Sequence, residues 1–198
     1  MSRALRVLAP FVAAFATVLL VSLAAGAHDT DLTDPDDARG LLDISQVRLA
    51  HEGVPPAWTI VTFARWGVLR MWDEGYLIVW LDTQEGPDPE YYALIRSNRY
   101  RLEGTLWRAR IYGPDSFMKR LEVWRQSGRS ASVRVRLVNL AFGPKRTFYR
   151  WWVSTVYTSD SCRRSCHDRA PNGTETVLQW RPGMSPTPSA SESTSPTP

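Results

Sequence analysis

Gly75-Tyr-Leu-Ile-Val-Trp-Leu-Asp-Thr83 is the most continuously apolar stretch of the 198-residue sequence outside its N-terminus. The run is rich in β-branched and aromatic residues, is as long as a strand, and ends before the turn-forming segment Glu85-Gly-Pro-Asp-Pro89. A short buried helix would share this composition, but the length and the flanking Gly and Pro residues favour a strand. We therefore predict a buried strand over Gly75–Thr83.

The turn-forming segment is followed at once by a second run of strand composition, Glu90-Tyr-Tyr-Ala-Leu-Ile-Arg-Ser97. Two such runs separated by a short loop rich in Gly and Pro are typical of an antiparallel hairpin. We expect this hairpin to lie at the centre of a sheet.

Six further segments have strand composition, and turn-forming residues separate them at intervals of about ten residues. They are Leu41–Ala50, Ala57–Trp66, Thr105–Tyr112, Met118–Gln126, Ser132–Val138 and Thr147–Thr158. No segment shows a convincing helical period. This pattern indicates an all-β fold, either a sandwich or a barrel. We favour an antiparallel two-sheet β-sandwich, jelly-roll-like, of about eight strands.

The two ends of the chain differ in composition from this core. Arg3 and Arg6 precede an uncharged apolar segment that ends in Ala25-Gly-Ala27, which is typical of a secretory signal peptide over residues 1–27. A membrane anchor is the alternative. Residues 182–198, almost entirely Ser, Thr and Pro beyond Ser185, predict a disordered tail. We expect residues 28–181 to form one exported domain, extracellular or at the cell surface, with no membrane span after cleavage.

Several short motifs together resemble secreted bacterial β-sandwich domains of the carbohydrate-binding-module and DOMON-like type. They are Asp34-Pro-Asp-Asp37, Leu42-Asp-Ile44, Val79-Trp-Leu-Asp-Thr83 before Tyr91-Tyr92, and Asp168-Arg-Ala-Pro-Asn-Gly173. The resemblance spans most of residues 28–180. It implies a β-sandwich fold and export, and it transfers no binding residue to this chain.

The only two cysteines lie close together in Cys162-Arg-Arg-Ser-Cys166. In an exported chain both thiols meet an oxidising compartment, which predicts a local disulfide between Cys162 and Cys166. His167 follows directly, so the segment reads Cys-x-x-x-Cys-His, one residue longer than the usual c-type haem attachment signature. Haem attachment is therefore the alternative interpretation.

The start of the mature chain is acidic, with six aspartates between Asp29 and Asp43. Carboxylate oxygens are the ligands that Ca²⁺ prefers. We therefore expect a calcium site in which acids from later loops approach this acidic N-terminal segment. The alternative is that the segment is simply solvated. The candidate ligands are Asp29, Asp31, Asp34, Asp36 and Asp82, with Asp168 also able to approach.

Strict alternation fixes the side-chain directions in the later strands. If Val133 and Val135 face inward, then Arg134 and Arg136 face outward, and the same parity makes Trp151 a core residue and Trp152 an outer one. The predicted outer binding face comprises Trp124, Trp152, Arg120, Arg134, Arg136 and Arg150. Indoles beside guanidinium groups suit anionic glycans, whereas an ordinary solvated sheet face is the alternative.

Little in the sequence indicates catalysis. Gly-x-Ser-x-Gly, His-Glu-x-x-His and glycine-rich phosphate loops are absent from it. His28 with His51 or His167 could serve a copper oxygenase, and Asp73, Glu74 and Asp82 a carboxylate hydrolase. We favour a non-catalytic monomer that binds an acidic polysaccharide or another envelope component. The net charge, which falls from +4 to +2 when Arg3 and Arg6 leave with the signal, disfavours nucleic acid.

Overall fold

The computed structural model describes residues 29–51, 55–72, 74–84, 86, 88–159 and 162–181, and these residues form an all-β, antiparallel fold. The expected signal peptide and tail lie outside the described residues. The strands are β1 (Thr30–Thr33), β2 (Ile44–Ala50), β3 (Ala57–Thr62), β4 (Gly75–Asp82), β5 (Tyr91–Ser97), β6 (Leu102–Arg108), β7 (Ser116–Trp124), β8 (Ser130–Arg134), β9 (Phe148–Ser159), β10 (Cys162–Ala170) and β11 (Val177–Trp180).

Helical structure in these ranges is confined to two short pieces. One turn of α-helix, α1, spans Val68–Met71, and a 3₁₀ turn spans Leu137–Asn139. In the described part of the chain, neither helical piece has the length or the apolar character needed to cross a bilayer.

All eleven strands belong to one sheet with the order β1-β2-β3-β8-β7-β6-β5-β4-β9-β10, and β11 also pairs with β9. The predicted hairpin is confirmed, because β4 and β5 pair from Tyr76 opposite Arg96 to Leu81 opposite Tyr91. The other edge of β4 pairs with β9. Since β4 has a neighbour on each side and one face in the core, its Leu77, Val79 and Leu81 are fully buried.

The two ends of the sheet curve towards each other and nearly close it into a barrel-like form. β10 contacts β2, and the backbone N–H of Ile44 donates to the carboxylate of Asp168. Thr155 Oγ1 donates to the carbonyl oxygen of Leu42 over 2.7 Å. These contacts define a seam between the first and last strands of the sheet.

This architecture corrects the expected eight-stranded sandwich. The structure has one continuous, nearly closed sheet of eleven strands, and it adds β1, β10 and β11 to the segments that the composition identified. Period-two alternation shows that one face of a strand is buried, but it does not show whether a second sheet or the same sheet covers that face. The predicted Ser132–Val138 strand also ends earlier, at Arg134.

Three of the large aromatic side chains in the interior pack against one another. Trp58 of β3 meets Tyr149 and Trp151 of β9 edge to face, with ring centroids 6.4 and 6.2 Å apart. All three side chains are fully buried. The structure thus confirms that Trp151 is a core residue of β9, and Tyr149 and Val153 face the core with it.

The predicted disulfide is present between Cys162 and Cys166. It lies in β10, where the register with β9 shifts between the two cysteines. Because both sulfur atoms are used in this bond, neither is available for the thioether bonds of the haem interpretation.

Candidate functional site

Five aromatic side chains cross the outer face of the sheet in a line that we call the aromatic row. Each ring lies on the next strand and directly opposite its neighbour in the register. The rings are Trp152 (β9), Trp80 (β4), Tyr92 (β5), Trp107 (β6) and Phe117 (β7). Successive ring centroids are 6.0, 5.1, 6.3 and 5.6 Å apart. Cross-strand aromatic pairs of this kind stabilise the sheet and leave part of each ring facing solvent.

Polar groups on the rings are bonded within the face, which fixes the ring orientations. Trp80 Nε1 donates to Ser154 Oγ over 2.7 Å, and Trp107 Nε1 donates to Thr105 Oγ1 over 2.9 Å. The hydroxyl of Tyr92 donates to Asp115 over 2.8 Å. Burial, together with this bond, raises the pKa of Tyr92 to about 12, so the hydroxyl stays a donor at neutral pH.

A guanidinium group extends the aromatic row at its β10 end. Cζ of Arg169 lies 4.7 Å from the centroid of the Trp152 ring, and its Nη2 donates to the carbonyl oxygen of Glu175 over 2.8 Å. Burial lowers the pKa of Arg169 from its usual value, but an arginine stays protonated near neutral pH. The row therefore ends in a fixed positive charge.

An open cleft of about 1160 Å³ lies over the Trp80 and Trp152 end of the row. One wall is the loop from β4 to β5, and the other is the loop from β6 to β7. The charged lining residues are Asp88, Glu90, Arg108, Arg110, Asp115 and Arg169. Glu90 accepts from the backbone N–H groups of Thr83 and Gln84 over 2.8 and 3.1 Å, so the first wall is held in place.

This combination of an aromatic floor and polar walls is suited to binding. Apolar and aromatic surface supplies most of the affinity for a small or extended ligand, and a few polar groups set its orientation. The exposed Ile111 and Tyr112 stand at the rim on the second wall. Because the aromatic row continues from this floor across β5, β6 and β7, the surface can follow an elongated ligand.

The structure divides the predicted binding face into two groups. Trp124 lies beside Arg134, whose Cζ is 4.9 Å from the ring centroid, and Arg134 pairs with Glu122 over 2.6 Å. Arg120, on β7, and Arg136, two residues beyond the end of β8, are exposed. Trp152 and Arg150 lie on β9, four strand positions from β7, which is about 19 Å along the sheet. Trp124 and Trp152 are therefore not neighbours.

The predicted calcium ligands are also divided. Asp82 forms a buried ion pair with Arg146, at 3.2 Å, and lies 3.7 Å from Arg150. Asp31 pairs with Arg48, and Asp29 accepts from the backbone N–H of His51. None of these three acids reaches Asp34, so the expected set Asp29, Asp31, Asp34, Asp36 and Asp82 does not form one site.

A different set of acids does converge, and we call Asp34, Asp36, Asp37, Asp43 and Asp168 the acid cluster. One carboxylate oxygen from each of Asp34, Asp37 and Asp168 lies within 4.8 Å of the others. Burial and, next, the charge of Asp168 raise the pKa of Asp34 to about 7. Burial and the contact with Asp36 raise the pKa of Asp43 to about 7. Burial also raises the pKa of Asp168.

The residues considered for catalysis do not come together. His51 is buried against the hydroxyl of Tyr149, whereas His167 pairs with Val156, seven residues further along β9 and so about 23 Å away. Glu74 immediately precedes β4 and Asp82 ends it, a separation of about 26 Å. His28 and Asp73 lie outside the described residues.

Sequence reasoning identified Trp152 but missed Trp80, Tyr92, Trp107, Phe117 and Arg169. The missed signal was parity, because Trp80 alternates with the buried Val79 and Leu81 in the same way that Trp152 alternates with Trp151 and Val153. Comparisons of the chain with protein-family models, with curated proteins and with solved structures found no match. The site is therefore interpreted from its own geometry.

Proposed function

We propose that this chain is a secreted, non-catalytic β-domain that binds an acidic polysaccharide in the cleft over the aromatic row. The observation that carries the proposal is the aromatic floor itself, formed by Trp80 and Trp152 between two charged loops. The CH faces of sugar rings pack well against indoles, whereas their hydroxyl groups need polar partners of the kind that the walls provide.

The charges in the walls support an acidic ligand. Arg108, Arg110 and Arg169 supply guanidinium groups, which bind carboxylates and sulfates through two parallel hydrogen bonds. Asp88, Glu90 and Asp115 line the same cleft, which disfavours a uniformly charged polyanion such as nucleic acid. A polysaccharide that combines neutral rings with spaced acidic groups fits this pattern best.

The binding prediction is tested with Trp80→Ala in the mature chain, using a panel of neutral and acidic polysaccharides. We expect affinity for an acidic polysaccharide to fall by about 10- to 30-fold, because a central aromatic contact is worth roughly 2 kcal/mol. Affinity of the parent protein should also weaken as salt rises, since the charges are screened over about 10 Å at 0.1 M ionic strength. Isothermal titration or affinity electrophoresis measures both effects.

Trp124→Ala is the matched control, because Trp124 lies on the same outer face but outside the cleft. Its affinity should stay within about twofold of the parent. A loss in Trp124→Ala but not in Trp80→Ala would move the site to the group around Arg134, and equal losses in both variants would contradict a site confined to the cleft. Absence of binding across the panel would reject the glycan proposal and favour a purely structural surface domain.

Export is proposed from the sequence, and N-terminal processing tests it. We expect protein recovered from the medium of the producing cells to begin at His28 and to contain no free thiol, because Cys162 and Cys166 are paired. Intact mass with and without alkylation measures both properties. If the cell-associated protein retains residues 1–27, the membrane-anchor alternative is favoured.

A further inference from the structure

We propose that the acid cluster is a calcium site that fastens the N-terminal segment to β10 and so closes the seam of the sheet. The site uses Asp34, Asp37 and Asp168 as ligands, with Asp43 and Asp36 next to them. Asp34 and Asp36 belong to the set expected from the sequence, and Asp168 was expected to approach it, whereas Asp37 and Asp43 were not in that set.

The carboxylate oxygens are close enough together for one ion to contact all three groups. Oxygens from Asp34, Asp37 and Asp168 all lie within 4.8 Å of one another. Ligands on opposite sides of a Ca²⁺ ion, each bonded at about 2.3–2.6 Å, are separated by about 4.6–5.2 Å. Mg²⁺ binds at about 2.0–2.1 Å and requires a near-octahedral arrangement, whereas Ca²⁺ accepts irregular sets of carboxylate oxygens.

Unpartnered buried oxygens provide a second, independent indication. Asp34 is 7% exposed and Asp43 is 4% exposed, and no described donor reaches Oδ2 of Asp34 or Oδ1 of Asp43. Buried carboxylate oxygens without a partner are costly, because the group loses its hydration and gains nothing in return. A cation placed among these oxygens removes that cost.

The surrounding contacts leave the negative charge uncompensated. The five ion pairs formed within the described ranges involve other acids. Arg169, which follows Asp168 directly, has its guanidinium group against Trp152 and donates to the carbonyl oxygen of Glu175.

The position of the cluster explains what the ion would do. Asp34 and Asp37 belong to the segment between β1 and β2, whereas Asp168 lies on β10 at the opposite end of the strand order. Asp168 also accepts from Ile44, the first residue of β2. An ion held by all three acids would therefore cross-link the two ends of the sheet. Extracellular calcium modules work at millimolar calcium, which matches the proposed export.

Calcium-dependent stability tests the proposal, with CaCl2 as the probe and the mature chain, prepared in chelator, as the protein. At a calcium concentration about 100-fold above Kd, we expect Tm to rise by about 5–10 °C, because the ion binds the native state alone. Asp34→Asn and Asp37→Asn should weaken calcium binding at least tenfold. In chelator these two variants should be no less stable than the parent, since each removes a repelling charge.

Asp31→Asn is the matched control, because it makes the same change three residues before Asp34, at an exposed residue of β1 that pairs with Arg48. It should keep the full calcium response. An unchanged Tm of the parent between chelator and millimolar calcium would overturn the proposal, as would loss of the response in Asp31→Asn to the same degree as in Asp37→Asn. An equal shift produced by the same concentration of Mg²⁺ would overturn the assignment to calcium.

Discussion

Arg146→Met is expected to lower the free energy of unfolding by about 3–5 kcal/mol, the usual cost of removing one partner from a buried ion pair. Nη1 and Nη2 of Arg146 donate to the two carboxylate oxygens of Asp82 over 3.2 and 3.4 Å. Both side chains are less than 10% exposed. The second cation near Asp82, Arg150, is half-exposed and lies 3.7 Å away, so it compensates only in part.

The loss of unfolding free energy caused by Arg146→Met should become smaller as the pH falls. Burial already raises the pKa of Asp82, and Arg146 is the strongest influence that lowers it, so the substitution raises the pKa further. The folded variant then holds a proton that the unfolded chain releases above its ordinary pKa. Stability gained from that proton is present at low pH and is lost as the pH rises through the folded pKa.

Urea unfolding between pH 5 and pH 8 measures both effects. Asp82→Asn combined with Arg146→Met is the informative control, because no charge is left buried without a partner. The double variant should be less destabilised than the sum of the two single variants. Exposed ion pairs contribute less than about 1 kcal/mol to stability. If Arg146→Met lowers the free energy of unfolding by less than this at pH 8, the pair of Asp82 and Arg146 is solvated.

The strands that could be predicted from the sequence are those rich in apolar and aromatic residues. β4 and β5 have apolar residues on the inner face and aromatic residues on much of the outer face, so both strands and their hairpin were predictable. β10 was missed because its segment, Cys-Arg-Arg-Ser-Cys-His-Asp-Arg-Ala, has almost no apolar residues. It is held by backbone pairing with β9 and by the buried Asp168, which a composition pattern does not detect.

The candidate sites depended on strand order, which the sequence does not contain. Parity placed Trp152 outside the barrel-like sheet, but only the pairing of β9 with β4 puts it next to Trp80. The sequence likewise does not show which acids meet. The acidic N-terminal segment predicted a cation site, but Asp168 reaches that segment only because the sheet nearly closes. Asp82 does not join it, because Asp82 pairs with Arg146, 64 residues later in the chain.

The adjacent residues Trp151 and Trp152 give the sharpest separation of stability from binding, because neighbouring residues of a strand point to opposite faces. Trp151 is fully buried and packs edge to face on Trp58 at 6.2 Å. Trp151→Ala should therefore lower the free energy of unfolding by about 3–5 kcal/mol, the usual cost of removing a large aromatic side chain from a core. The corresponding fall in Tm is about 6–20 °C.

Trp152→Ala should have a small effect on stability and a large effect on binding. It loses the contacts with Trp80, at 6.0 Å, and with the guanidinium group of Arg169, at 4.7 Å, which together are worth about 1–2 kcal/mol at a partly exposed site. Because Trp152 also forms the floor of the cleft, affinity for an acidic polysaccharide should fall at least tenfold at a temperature where the variant is fully folded.

Thermal unfolding and polysaccharide titration of both variants, under the same conditions, complete the comparison. Trp151→Phe is the conservative control, since Nε1 of Trp151 has no hydrogen-bond partner among the described residues and phenylalanine retains most of the packing. It should be more stable than Trp151→Ala, and its folded form should bind as the parent does. If folded Trp151→Phe loses affinity as strongly as Trp152→Ala, the ligand does not lie on the outer face, and the assignment of the cleft to binding fails with it.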